Sequence, residues 1–250
     1  MKNPKSILIT GGSSGMGEEL AKSYAKEGIT LFLSGRNEER LNNVKRQCES
    51  LGADVYVKII DVRDEDAMSN WMTECDEIAA LDLVVANAGT ATGFNTDMDL
   101  ASYTKNMMDI NVNGAFHTIH PAIRLMQPRG RGQIAIMSSL SGYHGSNKTP
   151  AYPTTKACVK TYGEGLRAAY AHLGIEINVV CPGFIKTPFT EGAPIALPFL
   201  MDVDKAMIAL RRGLEKNQGR ITFPWTMSLI SSAMVRFLPE RLFLKAGWPF

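Results

Sequence analysis

Tyr152 and Lys156 stand four positions apart in Tyr152-Pro153-Thr154-Thr155-Lys156. On a helix that spacing puts the phenol and the ammonium on one face, one turn apart and within reach of each other. A free tyrosine, with a pKa of about 10, exchanges protons poorly at neutral pH. A nearby positive charge favours the phenolate and brings it toward the working range of a general acid/base. Ser138 and Ser139 lie a short way upstream and could supply a hydroxyl. The Y-x-x-x-K spacing alone is common on solvated helices, so its meaning depends on what the rest of the chain places beside it.

A second chemical signal lies near the start, in Ile7-Leu8-Ile9-Thr10-Gly11-Gly12-Ser13-Ser14-Gly15-Met16-Gly17. An apolar run ends in a Gly/Ser loop, and Glu18-Glu19-Leu20-Ala21 opens a helical pattern. Strand, glycine turn and helix together suit a pyrophosphate. The glycines let the backbone turn and approach the ligand, while the helix N-terminus presents unpaired N–H groups. The spacing is G-x-x-x-G-x-G, and no Gly-Lys-Ser/Thr follows, which disfavours a nucleoside-triphosphate P-loop.

The elements that must position these groups alternate along the chain. Apolar or β-branched runs at 6–10, 30–34, 55–60, 83–86, 133–137 and 176–180 read as strands buried on both faces of a parallel sheet. Between them, Leu41, Val44, Cys48 and Leu51 fall at helical spacing, as do Met68, Trp71, Met72 and Cys75. Gly28 is the expected C-cap of the first helix, and Asn37 and Asp64 are candidate N-caps of the next two. Right-handed crossovers then give an α/β fold, a Rossmann-type doubly wound parallel sheet with helices on both faces. No repeat or linker divides the chain, so residues 1–250 are expected to form a single domain.

In such a sheet ligands bind beyond the carboxyl ends of the strands. Those ends carry Gly11–Gly17 after strand one and Arg36 after strand two. Asp61 and Val62 follow strand three, Asn87, Ala88 and Gly89 strand four, Ser139 strand five, and Pro182 and Gly183 strand six. Composition is consistent with one enzyme-sized unit: 250 residues, 45% hydrophobic, net charge +2. No basic block supports nucleic-acid binding. Cys48, Cys75, Cys158 and Cys181 show no C-x-x-C spacing and read as reduced thiols of a cytoplasmic protein. His117, His120, His144 and His172 make no metal-ligand pattern with them, and no metal is expected.

Taken together these motifs resemble the short-chain dehydrogenase/reductase family, in its compact single-domain branch, from residue 5 to about 190. The matching residues are Thr10-Gly11-x-x-x-Gly15-x-Gly17, Asn87-Ala88-Gly89, Asn111 in Asn-Val-Asn-Gly, Ser139, Tyr152-x-x-x-Lys156, and Pro182-Gly183 followed by Thr187. The resemblance implies a catalytic tetrad of Asn111, Ser139, Tyr152 and Lys156. It implies a nicotinamide cofactor held by Gly11, Ser13, Ser14, Gly15, Met16, Gly17, Arg36, Asp61, Val62, Asn87, Ala88, Gly89, Tyr152, Lys156, Pro182, Gly183 and Thr187. On that pattern Ser139 orients a carbonyl oxygen and Tyr152 exchanges its proton. Lys156 lowers the tyrosine pKa and binds the nicotinamide ribose, and Asn111 holds a water leading from Lys156 to solvent.

The expected reaction is the interconversion of a ketone and a secondary alcohol by hydride transfer. An acid after strand two would favour NAD and an arginine a 2′-phosphate. Gly35-Arg36 therefore points to NADP(H), with NAD(H) still possible because Ser14 stands where NADP-preferring relatives often carry a second basic residue. The alternative is a non-catalytic dinucleotide-binding or redox-sensing protein on the same fold. Residues 140–148 (with Tyr143 and His144), Gly93-Phe94 and a proline-rich lid over about 187–215 would wall a small-molecule carbonyl or alcohol substrate. Their composition favours an apolar or lipid-like compound: 3-oxoacyl, steroid or small ketone. After a last strand at 220–223, the segment 224–250 departs from the family pattern and puts the family's tetramer interface in doubt. A homodimer or homotetramer is expected, and the segment could also give weak peripheral membrane contact.

Overall fold

A computed structural model describes residues 1–91, 97–188, 190 and 199–230. Seven parallel strands form one sheet in the order β3-β2-β1-β4-β5-β6-β7. They are β1 (Ser6–Thr10), β2 (Thr30–Gly35), β3 (Asp54–Ile59), β4 (Leu83–Ala86), β5 (Gly132–Met137), β6 (Ile175–Pro182) and β7 (Arg220–Phe223). The helices are α1 (Gly15–Tyr24), α2 (Glu38–Ser50), α3 (Glu65–Ile78), α4 (Leu100–Met108), α5 (Gly114–Met126), α6 (Ala151–Tyr170) and α7 (Val203–Glu215). The order reverses between β1 and β4, so the crevice beyond their carboxyl ends lies at the topological switch point.

Successive strand residues face opposite sides, and both sides are covered. Ile7, Ile9, Leu31 and Leu33 pack with Leu20, Leu41 and Leu210 on one face. Leu8, Phe32 and Val84 pack with Trp71, Ile119 and Val159 on the other. This two-sided burial is why the central strands read as unbroken apolar runs. Asn37 and Asp64 cap α2 and α3, accepting from the backbone N–H of Arg40 and Ala67 at 2.9 Å each. Asp99 caps α4 in the same way.

Three expectations are corrected. β3 is the sheet edge and is not buried on both faces: Tyr56 and Ile59 are exposed. α1 ends at Tyr24, not at Gly28, because α7 captures its C-terminus. Arg211 donates to the Ser23 carbonyl and its guanidinium lies 4.4 Å from the Tyr24 ring centre. Gly28, with φ +74°, instead serves the turn into β2. Leu51 lies beyond the end of α2 and is exposed. Gly93-Phe94, most of the apolar part of the lid and residues 231–250 lie outside the described residues.

Candidate active site

The carboxyl ends of the strands enclose a continuous cleft of about 710 Å³. At one end the loop after β1 turns through Gly11 (φ +66°) and Gly15 (φ +58°), conformations a side chain resists. Gly17 has a different reason: a Cβ there would lie 2.3 Å from the Gly11 carbonyl oxygen and 2.5 Å from Asn87 Nδ2. Asn87 donates that amide to the carbonyls of Thr10 (2.9 Å) and Gly11 (3.2 Å), stapling the loop to the end of β4. The Thr10 hydroxyl accepts the backbone N–H groups of Asn87 and Ala88 from the other side.

The Ser14 side chain does not cap α1. Among the described residues the first-turn N–H groups therefore have no cap from Ser14 at the cleft, where Ser13, Ser14, Gly15 and Met16 form the wall. A glycine cradle opening on an uncapped helix N-terminus fits the pyrophosphate of a dinucleotide.

Next to this loop, Ser13 Oγ would lie 3.0 Å from a Cβ on Gly35, and Arg36 follows, exposed at the cleft wall. Asp61 lies beyond it, its carboxylate gripped by Arg63. Arg63 Nε reaches Oδ1 at 3.0 Å and Nη2 reaches Oδ2 at 2.6 Å. These bonds hold the Asp61 pKa below the usual carboxylate range. Val62, Asn87, Ala88, Gly89, Pro182, Gly183 and Thr187 complete that part of the wall. Of the expected catalytic and cofactor-binding residues, Gly17 and Asn111 do not line the cleft.

At the other end α6 presents Tyr152 and Lys156, with Lys156 Nζ 5.7 Å from the tyrosine ring centre. Ser139 follows β5 and caps the short turn Leu140–Tyr143, accepting the Ser141 N–H at 3.1 Å. Its hydroxyl also donates to the Pro182 carbonyl at 3.5 Å and lies near enough to Tyr152 to pull that phenol's pKa down. Lys156 is 6% exposed and donates to the Met137 carbonyl at 3.0 Å. The expected lysine-driven lowering of the tyrosine pKa is not found in the cleft. Desolvation in the cleft pushes Tyr152 up to about 12, against the pull of the nearby Ser139 hydroxyl, and pushes Lys156 down to about 8. Both groups are thus biased toward their neutral forms, so the phenol holds its proton.

Asn111 sits in a π-helical turn, Asp109–Asn113, between α4 and α5. Its amide accepts from the Thr90 N–H (2.7 Å) and donates to the Thr90 carbonyl (2.9 Å) and to Thr155 Oγ1 (3.1 Å). Thr155, which the sequence reading did not single out, is fully buried and also donates to the Tyr152 carbonyl at 2.8 Å. Arg63 was likewise not singled out; its closeness to Asp61 in sequence was the available signal. Tyr143 and His144 do not line the cleft, whereas Lys148 and Thr149 do. From the C-terminal segment, Met227 packs against Gly183, where a Cβ would approach its sulfur to 2.6 Å. Among the described residues no helix is long and apolar enough to cross a membrane, and no three His, Cys, Asp or Glu side chains gather as metal ligands would.

Comparison with known proteins adds an independent line. The family model for short chain dehydrogenase matches residues 5–195. An uncharacterized oxidoreductase of Myxococcus xanthus is 32% identical over 240 residues, 96% of this chain and 94% of that protein. A 3beta-hydroxysteroid dehydrogenase of Mediterraneibacter gnavus is 35% identical over 189 residues, 75% of this chain and 68% of that protein. Among solved structures, a short-chain dehydrogenase from Sphingobium yanoikuyae in complex with NADPH superposes with a TM-score of 0.79 at 23% identity. That match covers 94% of this chain and 96% of the other.

Proposed function

The chain belongs to the short-chain dehydrogenase/reductase family, and from that premise we propose the finer chemistry of its cleft. The family's enzymes are NAD(P)-dependent oxidoreductases acting on the CH–OH/C=O pair. Here the reaction is reduction of a ketone to a secondary alcohol, or its reverse, with Tyr152 as general acid/base and NADP(H) preferred.

The observation that carries this reading is the gathering of Ser139, Tyr152 and Lys156 in one cleft with the glycine cradle, Lys156 Nζ lying 5.7 Å from the Tyr152 ring centre. A nicotinamide held in this cleft would supply or accept the hydride. Ser139 donates a hydrogen bond to the carbonyl oxygen, stabilising the charge that develops there. Tyr152, which holds its proton, delivers it to that oxygen. Lys156 has donor capacity beyond its single described bond to Met137 and is placed to bind the nicotinamide ribose hydroxyls. Asn111 braces the wall behind Lys156. Arg36, with Ser13 beside Gly35, suits a 2′-phosphate on the adenosine ribose.

Phe184, Ile185 and Pro188 give the cleft an apolar stretch of wall, which favours an apolar carbonyl compound. The relative named for a 3beta-hydroxysteroid is consistent with that class. A panel of 3-oxoacyl, steroid and small ketones, followed by NADPH absorbance and repeated with NADH, tests the proposal. Turnover with higher efficiency for NADPH is expected. No turnover across the panel would favour a dinucleotide-binding sensor, and a strong NADH preference would refute the cofactor assignment.

A further inference from the structure

Tyr143, four residues beyond Ser139, turns away from the cleft into a charged grip. Lys160 Nζ lies 5.4 Å from its ring centre and the Arg220 guanidinium lies 5.6 Å from it. Lys160 belongs to α6, one turn beyond Lys156, and Arg220 opens β7. Glu164, a further turn along α6, ties the two cations together. Arg220 Nε reaches its Oε1 at 3.1 Å and Lys160 Nζ its Oε2 at 3.5 Å. A ring contacted by two cations whose mutual repulsion is relieved by a shared carboxylate is a favourable cation–π arrangement.

The turn that carries this ring is pressed on the backbone of the catalytic helix. A Cβ at Gly142 would lie 2.8 Å from the Lys156 carbonyl carbon and 2.9 Å from the Ala157 nitrogen. On the other side of Ser139, the Ser138 hydroxyl donates to the Lys156 carbonyl at 2.7 Å. Ser139 thus lies between two points at which its own segment is fixed to α6. One is the Ser138–Lys156 bond; the other is the Gly142–Tyr143 contact. Sliding the turn by even a fraction of an ångström would misdirect the Ser139 hydroxyl relative to Tyr152, and small misplacements of catalytic groups are costly.

We propose that Tyr143 is a positioning residue for Ser139: its ring, gripped by Lys160 and Arg220, holds the Leu140–Tyr143 turn in the register that aims Ser139 at Tyr152. The inference rests on the tetrad reading above. The tyrosine hydroxyl, buried beside the Cys181 thiol, is not part of the grip. Phenylalanine therefore does its work and leucine does not.

The test is steady-state kinetics of the full chain on its best substrate from the carbonyl panel, with cofactor Kd from calorimetry. Tyr143→Phe should keep kcat within about twofold, while Tyr143→Leu should lower kcat by about tenfold or more, with cofactor Kd within about twofold. Unchanged kcat in Tyr143→Leu, or an equal loss in Tyr143→Phe, would overturn the inference. Should Tyr143→Leu fail to fold, the Lys160→Met/Arg220→Met double variant carries the test: a loss of about tenfold in kcat supports the grip and an unchanged kcat overturns it. Tyr152→Phe run alongside separates the two levels. A silent Tyr152→Phe with an unimpaired Tyr143→Leu sinks the grip alone, whereas turnover by Tyr152→Phe overturns the tetrad assignment and the grip with it.

Discussion

Asn111 and Thr90 exchange two hydrogen bonds: the Asn111 carbonyl oxygen accepts the Thr90 N–H at 2.7 Å, and its amide nitrogen donates to the Thr90 carbonyl at 2.9 Å. The same amide nitrogen reaches Thr155 Oγ1 at 3.1 Å. One side chain thereby joins the loop after β4 to α6 between Tyr152 and Lys156. A Cβ built on Gly89 would lie 3.2 Å from Asn111 Oδ1 and 3.4 Å from Lys156 Nζ, so the amide and the ammonium flank the same glycine.

Replacing Asn111 with Ala removes all three bonds and leaves buried polar partners unmatched. The expected cost is about 2 kcal/mol, read as a lower urea midpoint with an unchanged slope. Turnover should fall too, because Gly89 and Thr90 lose their support beside Lys156. A midpoint equal to that of the unaltered chain would show that the brace carries no weight.

Gly17→Ala places a methyl against the Gly11 carbonyl and the Asn87 amide, both backbone-anchored. Overpacking of this kind costs about 1–3 kcal/mol. Because the collision separates the glycine loop from Asn87, the Kd for NADP should rise as well. Calorimetric titration reads that change directly, and an unaltered Kd would contradict the staple's role.

Arg36→Leu should weaken NADPH binding by about tenfold or more while leaving NADH nearly untouched, since only the former carries a 2′-phosphate to pair with the guanidinium. The readout is the ratio of kcat/KM values for the two cofactors. Equal losses with both would place Arg36 outside the 2′ site.

Lys156 gives the stability curve a signature at alkaline pH. Its pKa falls from 10.5 to about 8 on folding because burial disfavours the ammonium. Between those values the unfolded chain binds more protons than the native one, so stability rises with pH through that window. The penalty is fully present below about pH 8 and is relieved above the unfolded value. Relative to Lys156→Met, the unaltered chain should gain on the order of 3 kcal/mol from pH 8 to 10.5. The raised tyrosines, common to both chains, cancel in the comparison. Parallel stability curves would show that Lys156 is not depressed.

The sheet was legible where its environment is uniform. Residues 7–9 and 83–86 are apolar throughout because both faces of those strands are covered. The exposure of β3 was not legible, because Val55, Tyr56 and Val57 suit an edge strand as well as a central one. The glycine loop could be read because turn and close approach restrict residue type. Thr155 could not, since its bond to Asn111 spans 44 positions in sequence. Nor could the direction of the Tyr152 shift. Helical spacing gives the nearness of Lys156, but the burial that outweighs it is a property of the folded cleft.

In the proposed mechanism Tyr152 exchanges the proton while other groups hold the cofactor. Tyr152→Phe removes one oxygen and leaves the ring, Lys156 and the glycine cradle in place. With the best carbonyl substrate, turnover should fall by at least about a thousandfold, while calorimetric Kd for NADPH stays within about twofold. Turnover near that of the unaltered chain would contradict the assignment of Tyr152 as the acid/base.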